Sequence, residues 1–144
     1  MREDKPMKVF FDSNVIIDAL TNREGSVEAS KRLVYASAVG QIEGVMASKQ
    51  MTDIYYVLRK YVADDHIRRD LIETLLQSFE ILSIDKDLLV RSLASEVPDY
   101  EDAVIAESAK RVGASFIVSS DEKGFAGCGV AVKTPAEAAS SLGI

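Results

Sequence analysis

VFFDSNVIIDAL, residues 9–20, places a strand, an acid and the start of a helix in immediate succession. The apolar run 7–11 (MKVFF) has the length and composition of a buried strand. Asp12 follows it directly, and 13–20 reads as a short helix. A strand that hands straight over to a helix is the opening of a parallel β–α unit, and the rest of the chain repeats the alternation. After a polar break at 22–25, apolar spacing over 27–39 predicts a helix that stops at Gly40. A strand at 44–47 leads into a long helix from Ser48, with Met51, Ile54, Tyr55, Leu58 and Val62 on one stripe. Asp64 caps a further helix whose stripe is Ile67, Leu71, Leu75 and Leu76. Strands at 79–84 (FEILSI), 115–118 (SFIV) and 129–132 alternate with helices over 85–93 and 99–112 and one opening at Pro135. The three prolines, at 6, 98 and 135, stand where elements begin. The pattern predicts a single three-layer α/β domain over residues 1–144, a central parallel sheet with helices on both faces.

Composition narrows the function without fixing it. Seventeen basic residues against twenty-three acidic ones give a net charge of −6, the wrong sign for a nucleic-acid footprint unless carboxylates gather around a cation. The single cysteine, Cys128, rules out an internal disulfide and a multi-cysteine zinc site. MREDKP at the start has no apolar core behind it, and no apolar run is long enough to span a bilayer. The expectation is a cytoplasmic protein with no membrane association.

In a parallel sheet, functional groups gather beyond the carboxyl ends of the strands. Asp12 follows the first strand and Asp121 lies three residues after SFIV. Asp53 falls in the second turn of the helix from Ser48, and Asp102 in the first turn of the helix near Asp99. Each has an ordinary structural explanation: Asp12 as an N-cap, Asp99 with Asp102 as a capping box, Asp121 as a turn residue. Asp53 has the weakest one, being a poor helix former beside an apolar stripe. Two carboxylates about 5 Å apart repel by roughly 3 kcal/mol at an effective dielectric near 20. Four that converge therefore require a cation. An all-oxygen donor set suits Mg²⁺ or Mn²⁺, the apparatus of phosphodiester hydrolysis.

The order of these motifs resembles the PIN-domain family of nucleases through nearly the whole chain. VFFDSNVIIDAL looks like the family's first motif, SKQMTDIYYVLRKY (48–61) its second, and DYEDAVIAESAKRVGASFIVSSDEKGF (99–125) its third and fourth. The resemblance implies metal-binding acids at Asp12, Asp53, Asp102 and Asp121, with Asn14 and Ser119 as polar supports and Asp99 and Glu101 as nearby acids. It implies an endoribonuclease dependent on Mg²⁺ or Mn²⁺, similar to VapC-type toxins, which pair with an antitoxin and form homodimers. Two departures stand out: Asp53 where most of the family has Glu, and Gly124 where many relatives carry another acid. One tightly held metal is expected, with a second arriving with RNA.

The expected chemistry is in-line attack by metal-activated water, leaving 3′-hydroxyl and 5′-phosphate ends. His66, alone in ADDHIRRD, lacks the partner an acid–base ribonuclease needs and reads as a solvated helix residue. Lys49 and Lys123 are the basic residues nearest the acids; Arg23, Arg59, Lys60, Lys110 and Arg111 are further candidates for RNA contact. Tyr55, Tyr56, Tyr61 and Tyr100 are available for base stacking. A phosphatase of the haloacid dehalogenase type would need an acid at 14, which is Asn. A catalytically weak PIN-like module that binds RNA or protein stays open as the alternative.

Overall fold

The computed structural model describes residues 5–22 and 27–144; Arg23, the rest of the break at 23–25 and the residues 1–4 lie outside them. Five parallel strands form one sheet in the order β3-β2-β1-β4-β5. They are β1 Lys8–Phe11, β2 Glu43–Ala47, β3 Glu80–Leu82, β4 Phe116–Val118 and β5 Val132–Lys133. The helices are α1 Ser13–Thr21, α2 Val27–Ala38, α3 Ser48–Leu58, α4 Asp65–Ser78, α5 Lys86–Leu93, α6 Tyr100–Val112 and α7 Pro135–Leu142.

Strand β1 is buried on both faces, which is why it reads as an unbroken apolar run. Val9 and Phe11 face a core built with Ile16, Leu33, Ile54 and Leu75, from helices α1, α2, α3 and α4. Phe10 faces the opposite core with Ile105, Ala106 and Ala109 of α6 and with Phe125. The parallel three-layer expectation holds.

The chain leaves β1 in one direction through β2 and β3, then returns to its other side for β4 and β5. The strand order therefore reverses between β1 and β4, and the crevice beyond their carboxyl ends is the switch point where such folds bind ligands. Phe10 is in register with Ile117 and Phe11 with Val118. The Asp12 N–H continues the ladder to the Val118 carbonyl at 3.0 Å.

Several elements differ from the pattern in the sequence. Helix α3 ends at Leu58 and does not run on to Val62. The chain turns there because Asp64 caps α4 and Arg68 Nη1 donates to the Val62 and Ala63 carbonyls at 2.6 and 2.8 Å. On α4, Ile67 and Leu76 are exposed, and the buried stripe centres on Leu75. Strand β3 is shorter than 79–84. The last strand begins at Val132, because Gly129 adopts a φ of 83° and Cys128 Sγ bonds the Val130 carbonyl, closing a turn over most of 129–132. Helices α5 and α6 begin one residue late because Asp85 and Asp99 are their N-caps.

Gln50 ties α3 to β1. It is 1 % exposed. Its Nε2 donates to the Phe11 carbonyl at 2.9 Å and to Ser13 Oγ at 3.0 Å, and its Oε1 accepts from the Ala47 N–H at 2.6 Å. Removing the amide leaves a buried donor and a buried acceptor without these partners, so Gln50→Ala should cost about 2–3 kcal/mol. Urea unfolding measures this; a loss under about 0.5 kcal/mol, the range of an ordinary surface change, would contradict the role.

Candidate functional site

Asp12 is the N-cap of α1, and the cap geometry fixes its carboxylate. Oδ1 accepts from the Ser13 N–H at 2.8 Å. Oδ2 accepts from Ser119 Oγ at 2.8 Å and from Asn14 Nδ2 at 3.3 Å. The capping reading and the functional reading thus coincide in one residue: the bonds that start the helix also aim the carboxylate at the switch point.

Asn14 and Ser119 stand where supports were expected. Ser119 is fully buried. Its hydroxyl donates to Asp12 and accepts the Asp121 N–H at 3.0 Å, so one oxygen links the ends of β1 and β4. Asn14 Oδ1 accepts the Ser120 N–H at 3.2 Å, which fastens the same loop again.

Asp99 is the N-cap of α6, its Oδ1 taking the Asp102 N–H at 3.0 Å, and it is exposed. The cap turns Asp102 inward. Carboxylate oxygens of Asp102 and Asp121 lie 3.1 and 2.8 Å from where a Cβ on Gly124 would stand. The residue that departs from the family pattern is thus the one whose missing side chain lets these two acids approach. Asp121 itself is exposed, in the loop that leads into a short 3-10 turn at Glu122–Phe125.

Asp12, Asp53 and Asp102 line one cleft of about 320 Å³, together with Lys49, Glu101 and Tyr56. Asp53 reaches it from the second turn of α3 but is already engaged: its Oδ2 lies 2.5 Å from Lys49 Nζ. The same ammonium donates to Glu101 Oε2 at 3.0 Å, across from α3 to α6. Lys123 is exposed beside Asp121, and His66 is exposed on α4, as a solvated helix residue would be. Lys110 and Arg111 pair with Glu107 and with Asp85 and Asp87, at the far end of α6.

The electrostatics record the crowding. Burial, with Asp12, Asp99, Asp121 and Glu101 adding repulsion, pushes the Asp102 carboxyl up to about 6. Burial also raises Asp12; hydrogen bonds from Ser119 and Ser13 oppose the rise, and Asp121 and Glu101 add to it. Burial alone would lower the Lys49 ammonium, but its bonds to Asp53 and Glu101 outweigh that and hold it above the usual lysine range.

Among the described residues, no three His, Cys, Asp or Glu side chains close tightly enough to enclose a metal ion as they stand. The donor set nevertheless fits a hard divalent cation. It is all oxygen, Asp102 and Asp121 already approach one point, and their mutual repulsion is what a cation would relieve.

Sequence reasoning missed Gln50 and the Lys49–Glu101 contact. Gln50 carried a signal, a glutamine three residues past a strand end, as in a capping box. The Glu101 contact joins residues 52 apart and carried none.

Residues 8–123 match the family described as PIN domain. No curated protein matches the chain significantly. Among solved structures, a toxin–antitoxin complex from Klebsiella pneumoniae aligns with a TM-score of 0.67 at 24 % identity, covering 88 % of this chain and 97 % of that one. VapBC2 from Rickettsia felis, bound to a DNA fragment from its promoter, aligns at 0.69 with 12 % identity, covering 89 % and 98 %. Mycobacterium tuberculosis VapC20, described as a toxin cleaving the sarcin–ricin loop, aligns at 0.59 with 13 % identity, covering 76 % and 86 %. At these identities the likeness is one of fold.

The raised Asp102 carboxyl makes stability depend on pH. An unfolded carboxyl titrates near 3.8, the folded one near 6, so the folded state holds the proton more tightly. The stabilisation is complete below pH about 4 and is lost as pH rises through about 6. Because Asp102 is only half-buried, screening reduces the effect to about 1 kcal/mol. In chelator, Asp102→Asn should therefore gain about that much on the parent between pH 4 and pH 7.5 in urea unfolding. Parallel pH profiles for the two proteins would refute the shift.

Proposed function

The chain belongs to the PIN-domain family, and on that premise we propose that it is a nuclease that cuts RNA with Mg²⁺ or Mn²⁺, acting in the cytoplasm as the toxin of a toxin–antitoxin pair. The observation that carries the reading is the gathering of Asp12, Asp102 and Asp121 at the switch point, with Gly124 leaving room between the last two. Asp12, Asp102 and Asp121 would hold the ion, with Asp53 on the outer wall. When bound, a divalent ion supplies positive charge against the phosphate and favours ionised water.

The chain's own residues set the geometry. Ser13, Asn14 and Ser119 hold the Asp12 carboxylate in one orientation. The Asp99 cap fixes the Asp102 backbone, and the bare Cα of Gly124 leaves room for the Asp102 and Asp121 carboxylates. A water nucleophile, in place of the RNA 2′-hydroxyl, leaves 3′-hydroxyl and 5′-phosphate ends. Tyr56, 64 % exposed on the cleft wall with the Arg59 guanidinium 5.3 Å from its ring centre, is suited to stack a base beside the acids.

An antitoxin partner is supported by the toxin–antitoxin assemblies among the structures of like fold. For a homodimer, exposed Val90 and Leu93 on α5 offer apolar surface to a second copy. The weak-binder alternative draws on Lys49, whose pairing engages two acids of the cleft.

An RNA cleavage assay with Mn²⁺ or Mg²⁺ tests the proposal. Chelator should abolish cleavage, and Asp12→Asn should lower it by about 100-fold or more. Cleavage that survives both changes would refute the proposal, and RNA binding without cleavage would favour the alternative. Tyr56→Ala should raise KM about tenfold with kcat little changed, the worth of one stacked base. An equal fall in kcat with unchanged KM would remove Tyr56 from the binding surface.

A further inference from the structure

Lys49 is oddly placed for a residue serving its own helix. It lies in the first turn of α3, where the helix macrodipole disfavours a cation. Its i,i+4 partner Asp53 is on the C-terminal side, the less favourable order for a helical ion pair. A half-exposed ion pair of this kind contributes about 1 kcal/mol at most. Helix stability therefore does not account for it.

The position makes sense across the cleft. The ammonium stands 2.5 Å from Asp53 on α3 and 3.0 Å from Glu101 on α6, on the wall of the cavity that Asp12 and Asp102 also line. Two carboxylates from different elements thus converge on one point, and that point holds a positive charge from the chain itself. Among the described residues no lysine, arginine or histidine bonds the Asp12, Asp102 or Asp121 carboxylates; the donors to Asp12 are the Ser119 hydroxyl, the Asn14 amide and the Ser13 N–H.

We propose that Lys49 is a built-in cation that fills the second of two cation positions in the cleft, so that the chain takes up one divalent ion and not two. The inference rests on the nuclease reading for the first ion, on the Asp12, Asp102 and Asp121 side. Asp53 and Glu101 are then kept by the ammonium, which faces the same space as a bound phosphate and shares in neutralising it. The second position needs no ion arriving with RNA. Removal of the ammonium leaves two carboxylates aimed at one place, enough for a Mg²⁺-like ion that completes its shell with water.

Counting Mn²⁺ per chain by isothermal titration and equilibrium dialysis tests this without reference to activity. Wild type should bind one ion, Lys49→Met two, and Lys49→Arg, which keeps the charge, one. Asp12→Asn should lose the wild-type ion. Two ions on wild type, or one on both wild type and a folded Lys49→Met, would overturn the assignment of Lys49 and leave the nuclease reading in place. No ion on any of the proteins would overturn both. Should Lys49→Met not fold, the wild-type count decides: one ion supports the assignment and two refute it.

Discussion

Carboxylates brought together at the end of a sheet repel one another, and the structure around this cleft is arranged to hold them there. Asp102 and Asp121 share the space that a side chain on Gly124 would occupy. Asp12 sits behind them at the end of β1, its carboxyl raised by burial and by its neighbours. Nothing local to any of these acids calls for the others. The sheet, the caps and the loop after β4 impose the proximity together.

The restraint is distributed over ordinary structural devices. An N-cap fixes Asp12, another N-cap fixes Asp102, and a buried serine hydroxyl joins the first acid to the loop that carries the third. Gln50 fastens α3 to the end of β1 and so sets where Asp53 and Lys49 face the cleft. Helix starts suit this purpose because each presents backbone donors that a carboxylate can take while its remaining lone pairs stay available. Structural and functional explanations of the same residue are therefore compatible here.

The cleft is divided in its charge balance. On one side Asp12, Asp102 and Asp121 gather, with neutral donors bonded to Asp12 alone. On the outer side two acids already have a lysine between them. The net charge of −6 includes these gathered carboxylates, whose local sign a bound cation would reverse.

The sequence by itself determined the layers and the direction of the strands. Apolar runs such as 8–11 and 116–118 and the caps at Asp12, Asp64, Asp85 and Asp99 are local signals, set by burial and by backbone donors within a few residues. It also placed Asp12 and Asp121 at strand ends, because a residue following a strand is at its end in any fold. Where short-range signals compete, the boundaries differ from the sequence pattern: α3 stops at Leu58 and β5 starts at Val132, since a side chain on the next helix and a positive φ at Gly129 decide them. The adjacency of β1 and β4, the shared space at Gly124 and the meeting of Lys49 with Glu101 belong to the tertiary structure alone. They join residues on separate elements, and pairwise distances of that kind are fixed by packing, which no local pattern encodes.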